Sequence, residues 1–396
     1  MRVGQLIQAI PQAAGGTTTA FLGTLDALSA AGLEWRAFTQ RPEASDPVWG
    51  QVNASLAGWT FAQRAGGVRA GDLGTRVAAA VARGEIDVLH IHGVWCADYL
   101  VAARACRRAG VSYVWQPHGM LLTEAVAQKR WKKEVFLALG GRAAIRGASA
   151  VLFVTQQERD HSPLPAGSGR REVVPLAVEM PPMAVDAALR ARARTRFGLP
   201  ADAPVVCFMG RLHAVKRVEM LVEAMVGLLH GGRDAHLLII GGGEADAEAR
   251  LSELARRLGV SDRVKFAGWV RGEDKWLALA AGDVLSLQSV HENFGFVAVE
   301  ALGVGTLPVL TENLSLAGEL SGVGLCVVGG ATPAELRTAI GEGLDRQASG
   351  RVLQVGAAYV AANYSGRAIG GRLKAVYAMC SEDRRRAGAG AGGDNR

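Results

Sequence analysis

A chain of 396 residues is longer than one hydrophobic core usually serves and suits two domains of roughly 150 to 200 residues. With 49% hydrophobic and 20% charged residues it can bury full cores, which excludes a chain disordered throughout. A net charge of +7 admits nucleic acid, an anionic membrane surface or a phosphorylated ligand, so the placement of that charge along the chain decides among them.

The five cysteines, Cys96, Cys106, Cys207, Cys326 and Cys380, are odd in number and never form a C-x-x-C pair. Reduced, buried thiols are expected, not a zinc site or dithiol chemistry. The opening ten residues carry Gln5 and Gln8 inside their apolar run, which suits a strand better than a signal peptide. No stretch approaches the roughly 18 to 20 apolar residues that span a bilayer, and a cytoplasmic location is expected.

Strand-like and helix-like runs alternate throughout. Residues 2–10, 33–39, 88–92, 112–116 and 150–154 read as strands, with amphipathic helices at 17–31, 72–83 and 97–109. An irregular Pro-rich stretch near 174–183 and an Arg/Ala helix at 185–197 lead to a second series. Its strands are 204–209, 236–240, 263–266, 283–287 and 307–310, and its helices 217–230, 244–258 and 296–303. The simplest topology is α/β, with two doubly wound parallel-sheet domains at 1–180 and 184–365. Ligands of such sheets bind beyond the carboxyl ends of the strands, so a cleft facing both domains is the expected site. The Gly/Ala/Arg tail 384–396 is expected to be disordered.

Several segments carry candidate chemistry. Pro11-Gln-Ala-Ala-Gly15-Gly16-Thr17 joins the first strand to a helix, but it is not the G-x-G-x-x-G fingerprint, and no nicotinamide is inferred from it. His90 and His92 share one strand face, and His118 follows Gln116-Pro117. No acidic or Cys partner at ligand spacing joins these histidines, so neither a metal nor any other cofactor is expected.

Positive charge is densest in 124–146, where Lys129, Arg130, Lys132, Lys133, Arg142 and Arg146 oppose Glu124 and Glu134. Trp131, Val135, Phe136 and Leu139 are interleaved with them. Such a helix either packs its apolar stripe on its own domain or rests on an anionic membrane surface. Nucleic acid is not expected, because no recognition module is present and aromatic residues make up only 6% of the chain.

In the second series, Gly210-Arg211-Leu212-His213-Ala-Val-Lys216 follows the first strand. Arg211 could clamp phosphate oxygens bidentately and Lys216 add a point charge, although such a pair taken alone is more often solvated surface. Gly241-Gly242-Gly243 and Gly268-Trp269 follow buried strands, where glycine serves either a tight turn or close approach to a ligand. Finally, Glu292-Asn293-Phe294-Gly295 leads to Glu300-Ala-Leu-Gly303, with glutamates eight positions apart. If most of that interval is helical, the carboxylates stand about 12 Å apart. That exceeds the roughly 5 to 9.5 Å of paired glycosidase carboxylates and suits two ends of one long ligand. An arbitrary pair at this spacing would be a helix cap and a solvated side chain.

Context favours the ligand. The segment 292–303, with its Asn-Phe-Gly and Glu-Ala-Leu-Gly, resembles the glutamate-pair motif of the family 4, group 1 glycosyltransferases, and Gly210-Arg211-Leu212 with Lys216 is similar to a second signature of that family. The resemblance covers nearly the whole chain and departs from the common Pro-Ser at Gln288-Ser289. It implies a GT-B fold, a helix at 366–381 crossing back to the first domain, and retaining transfer from a nucleotide-sugar donor without a metal. It also implies roles. Glu292, Asn293, Phe294 and Gly295 would hold the donor sugar and Glu300 the ribose hydroxyls. Arg211 and Lys216, with Gly210, would meet the diphosphate on one side and Gly15 and Gly16 on the other. Gly243 and Trp269 would flank the base. His118 would approach the sugar, with His92 an acceptor-side candidate. A glycan, glycolipid or lipid-linked acceptor is implied, as in polysaccharide or cell-surface glycan assembly. A GT-B epimerase or phosphorylase and a non-catalytic sugar-nucleotide-binding protein are the competing readings.

Overall fold

Residues 2 to 7 read Arg-Val-Gly-Gln-Leu-Ile, and all but Arg2 are buried, as in a strand covered on both faces by helices. The computed structural model describes residues 1–12, 15–53, 56–62, 72–183, 185–244, 246–348 and 350–391. They fall into two units, one made of Met1–Ala177 with the helix Gly366–Ala391, the other of Val178–Ser365.

The first unit holds a seven-stranded parallel sheet: β1 (Arg2–Ile7), β2 (Glu34–Gln40), β3 (Trp59–Ala62), β4 (Val88–His92), β5 (Ser112–Gln116), β6 (Ala150–Phe153) and β7 (Arg170–Val173). Their order is β3-β2-β1-β4-β5-β6-β7. The second unit holds β8 (Val205–Met209), β9 (His236–Ile240), β10 (Val264–Gly268), β11 (Val284–Leu287), β12 (Leu307–Thr311) and β13 (Val327–Gly329), ordered β10-β9-β8-β11-β12-β13. Every pairing is parallel. Each sheet therefore reverses its winding once, between β1 and β4 and between β8 and β11. A crevice opens at such a reversal because successive crossover helices go to opposite faces.

β3, β7 and β13 are absent from the sequence expectation, and each is an edge strand. With one neighbour and a wetter surface, an edge needs no apolar run, and β7 reads Arg-Arg-Glu-Val. The single basic helix expected over 124–146 is also corrected. Thr123–Ala127, Arg130–Phe136, a π-turn at Leu137–Gly141 and Arg142–Arg146 succeed one another, broken by left-handed Lys129 (φ 51) and by Gly140 (φ 131).

Helix Gly366–Ala391 packs along helix Gly16–Ala30 in the first unit. Gly370 allows the approach, since a Cβ there would stand 2.0 Å from the Ala27 carbonyl oxygen. Ile369, Leu373, Val376, Tyr377 and Cys380 share one core with Val3, Val88 and Val114. Residues 384–391, expected to be disordered, continue this helix, in keeping with the helix propensity of Ala and Arg. Residues 392–396 lie outside the described residues.

All five cysteines are free and buried, and burial pushes the Cys96, Cys106, Cys207 and Cys326 thiols up to about 12 and Cys380 to about 11. No described helix is long and apolar enough to cross a membrane.

Candidate functional site

In the second unit, the turns after β8 and β11 meet at the winding reversal. Gln288 and Ser289 are buried beyond the end of β11, and the Gln288 amide donates to the Arg217 carbonyl at 3.2 Å. Val290 N donates to the Val215 carbonyl at 2.9 Å, and Ser315 N donates to the Glu292 carbonyl at 3.1 Å. The loop is thus laced on both sides before Gly295 caps helix Phe296–Gly303 in the left-handed region, φ 76. Only glycine adopts that conformation freely, and a Cβ there would also press on Leu314 at 3.2 Å. No side chain caps the helix, so its first-turn N–H groups keep their positive end of the helix dipole.

Glu292 ends in this loop, and its carboxylate forms an ion pair with Lys216, which closes the 3-10 turn Ala214–Lys216 after β8. The adjacent Arg211 is exposed and has no ion-pair partner among the described residues. Asn293 has its side-chain oxygen buried without a hydrogen bond. Phe294 is only 3% exposed and packs edge-on against Phe296 and Tyr364, with ring centroids 5.1 and 6.0 Å away, so its side chain shapes the loop from beneath.

Glu300 lies on the buried face of the helix and not at a second open end. Its carboxylate accepts from Lys275 Nζ at 2.9 Å, and the same ammonium reaches Glu179 at 3.1 Å. Burial raises the Glu300 pKa, with Lys275 opposing the shift. Burial also works against the Lys275 charge, but Glu300 and then Glu179 outweigh it and raise its pKa. The estimated 12 Å reach between the two glutamates is corrected as well: residues 292–295 are loop, so helical rise applies only to the second half of the interval.

The glycine triplet after β9 is explained by packing. A Cβ on Gly241 would lie 1.9 Å from the Gly210 carbonyl oxygen, and one on Gly243 2.2 Å from that of Leu212. A Cβ on Gly242 would meet the Trp269 indole nitrogen at 2.4 Å. Gly210 N and Leu212 N donate to the carbonyls of Ile240 and Gly242, both at 2.9 Å, so the two turns are zipped together. Trp269 covers Gly242 while remaining 65% exposed.

In the first unit, Gly15 precedes helix Gly16–Ala30 at φ 57, and a Cβ there would meet nothing within 4 Å. The backbone conformation alone demands glycine, with open space beside it. Residues 13 and 14 of this loop lie outside the described residues.

At the ends of β4 and β5 the three histidines form one cluster. His92 Nδ1 is 2.9 Å from His118 Nε2, and His92 Nε2 is 2.7 Å from the Gln5 side-chain oxygen. His90 Nδ1 is 2.8 Å from the Tyr377 hydroxyl. Burial holds the rings neutral: His90 falls to about 3, helped by His118; His118 falls to about 4; and His92 lies well below its ordinary value, with His90 and His118 adding to the effect. His118 adopts φ 53, a left-handed conformation for a non-glycine residue. Buried Glu158 fastens that turn, accepting from Gly119 N and, at 2.8 Å, from Val154 N. Gln5, Glu158, Lys275 and Tyr377 were not singled out from the sequence. A glutamine inside an otherwise apolar strand is the one signal that could have found any of them. Among the described residues no three His, Cys, Asp or Glu side chains are grouped to hold a metal ion.

Two family models match the chain: "Glycosyl transferase 4-like domain" over residues 15–179 and "Glycosyl transferases group 1" over residues 190–339. The chain is 34% identical to a 2-deoxystreptamine glucosyltransferase of Streptomyces kanamyceticus over 49% of each chain. It is 32% identical to an alpha-D-kanosaminyltransferase of the same organism over 60% of its own length and 62% of that protein's. With a D-inositol 3-phosphate glycosyltransferase of Salinispora tropica it shares 30% identity over 81% of its own length and 68% of the relative's. The chain thus spans between about half and two thirds of the length of these relatives. Among solved structures, Anabaena HepE in complex with UDP superposes with a TM-score of 0.73 at 20% identity, over 96% of this chain and 100% of that one. The lipopolysaccharide outer core galactosyltransferase WaaB superposes at 0.65 and 17% identity, over 96% and 100%.

Proposed function

Because the chain belongs to the group 1 glycosyltransferases of GT-B fold, we propose that it moves a sugar, with retention, from a nucleoside diphosphate donor to a glycan, glycolipid or lipid-linked acceptor. The observation that carries this reading is the Lys216–Glu292 pair at the winding reversal, beside unpaired Arg211. When a donor enters, its diphosphate competes with Glu292 for the ammonium. Lys216 and Arg211 then neutralise the departing phosphate, and Glu292 is freed to accept hydrogen bonds from sugar hydroxyls. The bond from the anomeric carbon to the phosphate oxygen breaks, and the acceptor oxygen bonds to that carbon on the same face. The acceptor's proton passes to the leaving phosphate, so no side chain need become a nucleophile. First-turn N–H groups of helix Phe296–Gly303 favour the same anion. For Glu300, a role on the ribose requires the carboxylate to stay bonded to Lys275 while turning its second oxygen to the ligand.

A panel of nucleotide sugars read by thermal melting and by nucleoside diphosphate release tests the proposal. UDP-glucose is the first to try, since a solved structure of Anabaena HepE contains it. A ligand held by the folded state at 100 times its Kd adds about 2.7 kcal/mol of stability. Donor turnover without a glycosylated product would mark an epimerase instead. A panel in which nothing binds would overturn the reading.

A membrane-side acceptor is favoured by one further observation. Trp131, Val135 and Leu139, four residues apart in succession, are 67%, 48% and 74% exposed, while Phe136 alone of that set turns inward, against Trp95. Exposed Lys129, Arg130, Lys132 and Arg142 lie near them in sequence, with Arg130 paired to Glu134. Apolar tips accompanied by cations suit an anionic bilayer surface. Cosedimentation with vesicles should rise with acidic lipid content and fall for Trp131→Gln/Leu139→Gln; insensitivity to both would refute membrane docking.

A further inference from the structure

The hydrogen bonds around His92 form one continuous line. Tyr377, on the last described helix, places its hydroxyl 2.8 Å from His90 Nδ1. The Gln5 amide nitrogen donates to that hydroxyl at 3.4 Å, while the Gln5 oxygen is 2.7 Å from His92 Nε2. His92 Nδ1 in turn lies 2.9 Å from His118 Nε2. A neutral imidazole carries one proton, on one nitrogen, so each bond in such a line dictates the next. With the Gln5 oxygen turned to His92 and its amide nitrogen to Tyr377, the His92 proton sits on Nε2. His92 Nδ1 is then a lone pair, and only a proton on Nε2 of His118 can complete their bond. Tyr377 accepts from Gln5 and gives its own proton to His90.

We infer that Gln5, His92 and Tyr377 are positioning residues that hold His118 as its Nε2–H tautomer, so that its Nδ1, which has no hydrogen-bond partner among the described residues, offers a lone pair to a ligand hydroxyl. The chemistry of the group met by His118 is thereby specified. A sugar hydroxyl can donate to that lone pair, whereas an ionised phosphate oxygen has no proton to give and is repelled. Naming the ligand a sugar rests on the glycosyltransferase reading; the tautomer does not.

Several features concentrate on this outcome. Gln5 is 0% exposed in the middle of β1, flanked by Gly4 and Leu6, where a polar side chain is costly unless fully bonded. The His92 and His118 rings meet edge to edge, with centroids 5.2 Å apart and only 17° between their planes, so their orientations are shared. Glu158 fixes the backbone turn that carries His118. His92 sets both the ring plane and the proton position of His118, and Glu158 sets its backbone. A side chain meeting a ligand is pre-organised in this way when reorientation on binding would weaken it.

Long-range 1H–15N spectra of the full chain labelled with 15N-histidine read the tautomer without any turnover. The expected result is Nε2–H on both His92 and His118, with His118→Gln assigning the His118 signals. In Gln5→Leu the line is cut, and His118 should show both tautomers while donor kcat/KM falls about tenfold. In Tyr377→Phe the Gln5 amide loses its anchor, and a smaller admixture of Nδ1–H should appear. A His118 proton found on Nδ1 in the unmodified chain overturns the inference, as does a pure Nε2–H tautomer in Gln5→Leu. If Gln5→Leu does not fold, the spectrum of the unmodified chain decides alone. Nε2–H on both rings in a chain that transfers no sugar supports the relay and counts against the transferase reading.

Discussion

The ammonium of Lys216 rests on the carboxylate of Glu292, tying the turn after β8 to the loop after β11. Their side chains are 20% and 28% exposed, so the pair is open to a ligand and contributes at most about 1 kcal/mol to stability. Lys216→Ala should therefore lower sugar transfer by about 10²-fold or more while moving the melting temperature little. Nucleoside diphosphate release beside a thermal melt checks this, and unchanged turnover would remove Lys216 from the mechanism.

Lys275 and Glu300 make the opposite case. Glu300 is nearly closed to solvent, so Lys275→Ala leaves a buried carboxylate without its counter-ion and should cost about 3 kcal/mol in urea unfolding. Glu300→Gln keeps an acceptor for Lys275, and Glu179 remains beside it, so a smaller loss is expected. Because the Lys275 pKa is raised on folding, its contribution is complete below the ordinary lysine range and is lost as pH climbs through the folded value. A Lys275→Ala chain should lack that alkaline decline.

The histidine cluster sets an acid limit. His90 and His118 titrate near 3 and 4 when folded, and His92 is also depressed, whereas all three titrate near 6.5 in the unfolded chain. Between these values the unfolded state binds more protons, so acidification favours unfolding. The contribution of this cluster should be level above about pH 7 and fall below 6.5 by up to about 1.4 kcal/mol per pH unit for each histidine. Denaturant midpoints from pH 7.5 to 5 test the slope, which should shrink in His90→Gln.

Glycines in the turns after β1 and β9 should respond differently. Gly241→Ala meets the Gly210 carbonyl at φ 126 and should destabilise by more than about 3 kcal/mol. Gly15→Ala has only its backbone conformation, φ 57 and ψ −118, to overcome and should cost about 1 to 3 kcal/mol. A larger fall in donor affinity than in stability for Gly15→Ala would assign the open space beside it to a ligand.

The central strands were legible because double burial writes continuous apolar runs, and β4, β5 and β9 keep the boundaries expected for them. Three of the four edges were not, because β3, β7 and β13 are only three or four residues long and bury too little to impose a pattern, whereas the edge β10 was expected at 263–266. The resemblance carried by neighbouring residues pointed to Glu292, Lys216 and Arg211 as candidates in the second unit and to His118 in the first. It could not find Lys275 or Tyr377, whose importance lies in partners 25 and 287 residues away. Nor could spacing show that Glu300 faces inward, since one helical turn fixes that direction only once the sheet beneath is known.

Helix Gly366–Ala391 gives the first unit a discontinuous assembly order. The chain leaves that unit at Ala177 and returns only at Gly366, carrying the side chains that cover Val3, Val88 and Val114. During synthesis the first 177 residues emerge with that apolar surface bare, and it stays bare until nearly 190 further residues are made. Closing a contact over so long a loop is slow, and exposed apolar surface invites association with other chains in the interval. A fragment ending at 177 should therefore aggregate, and supplying residues 366–391 as a separate peptide should rescue it.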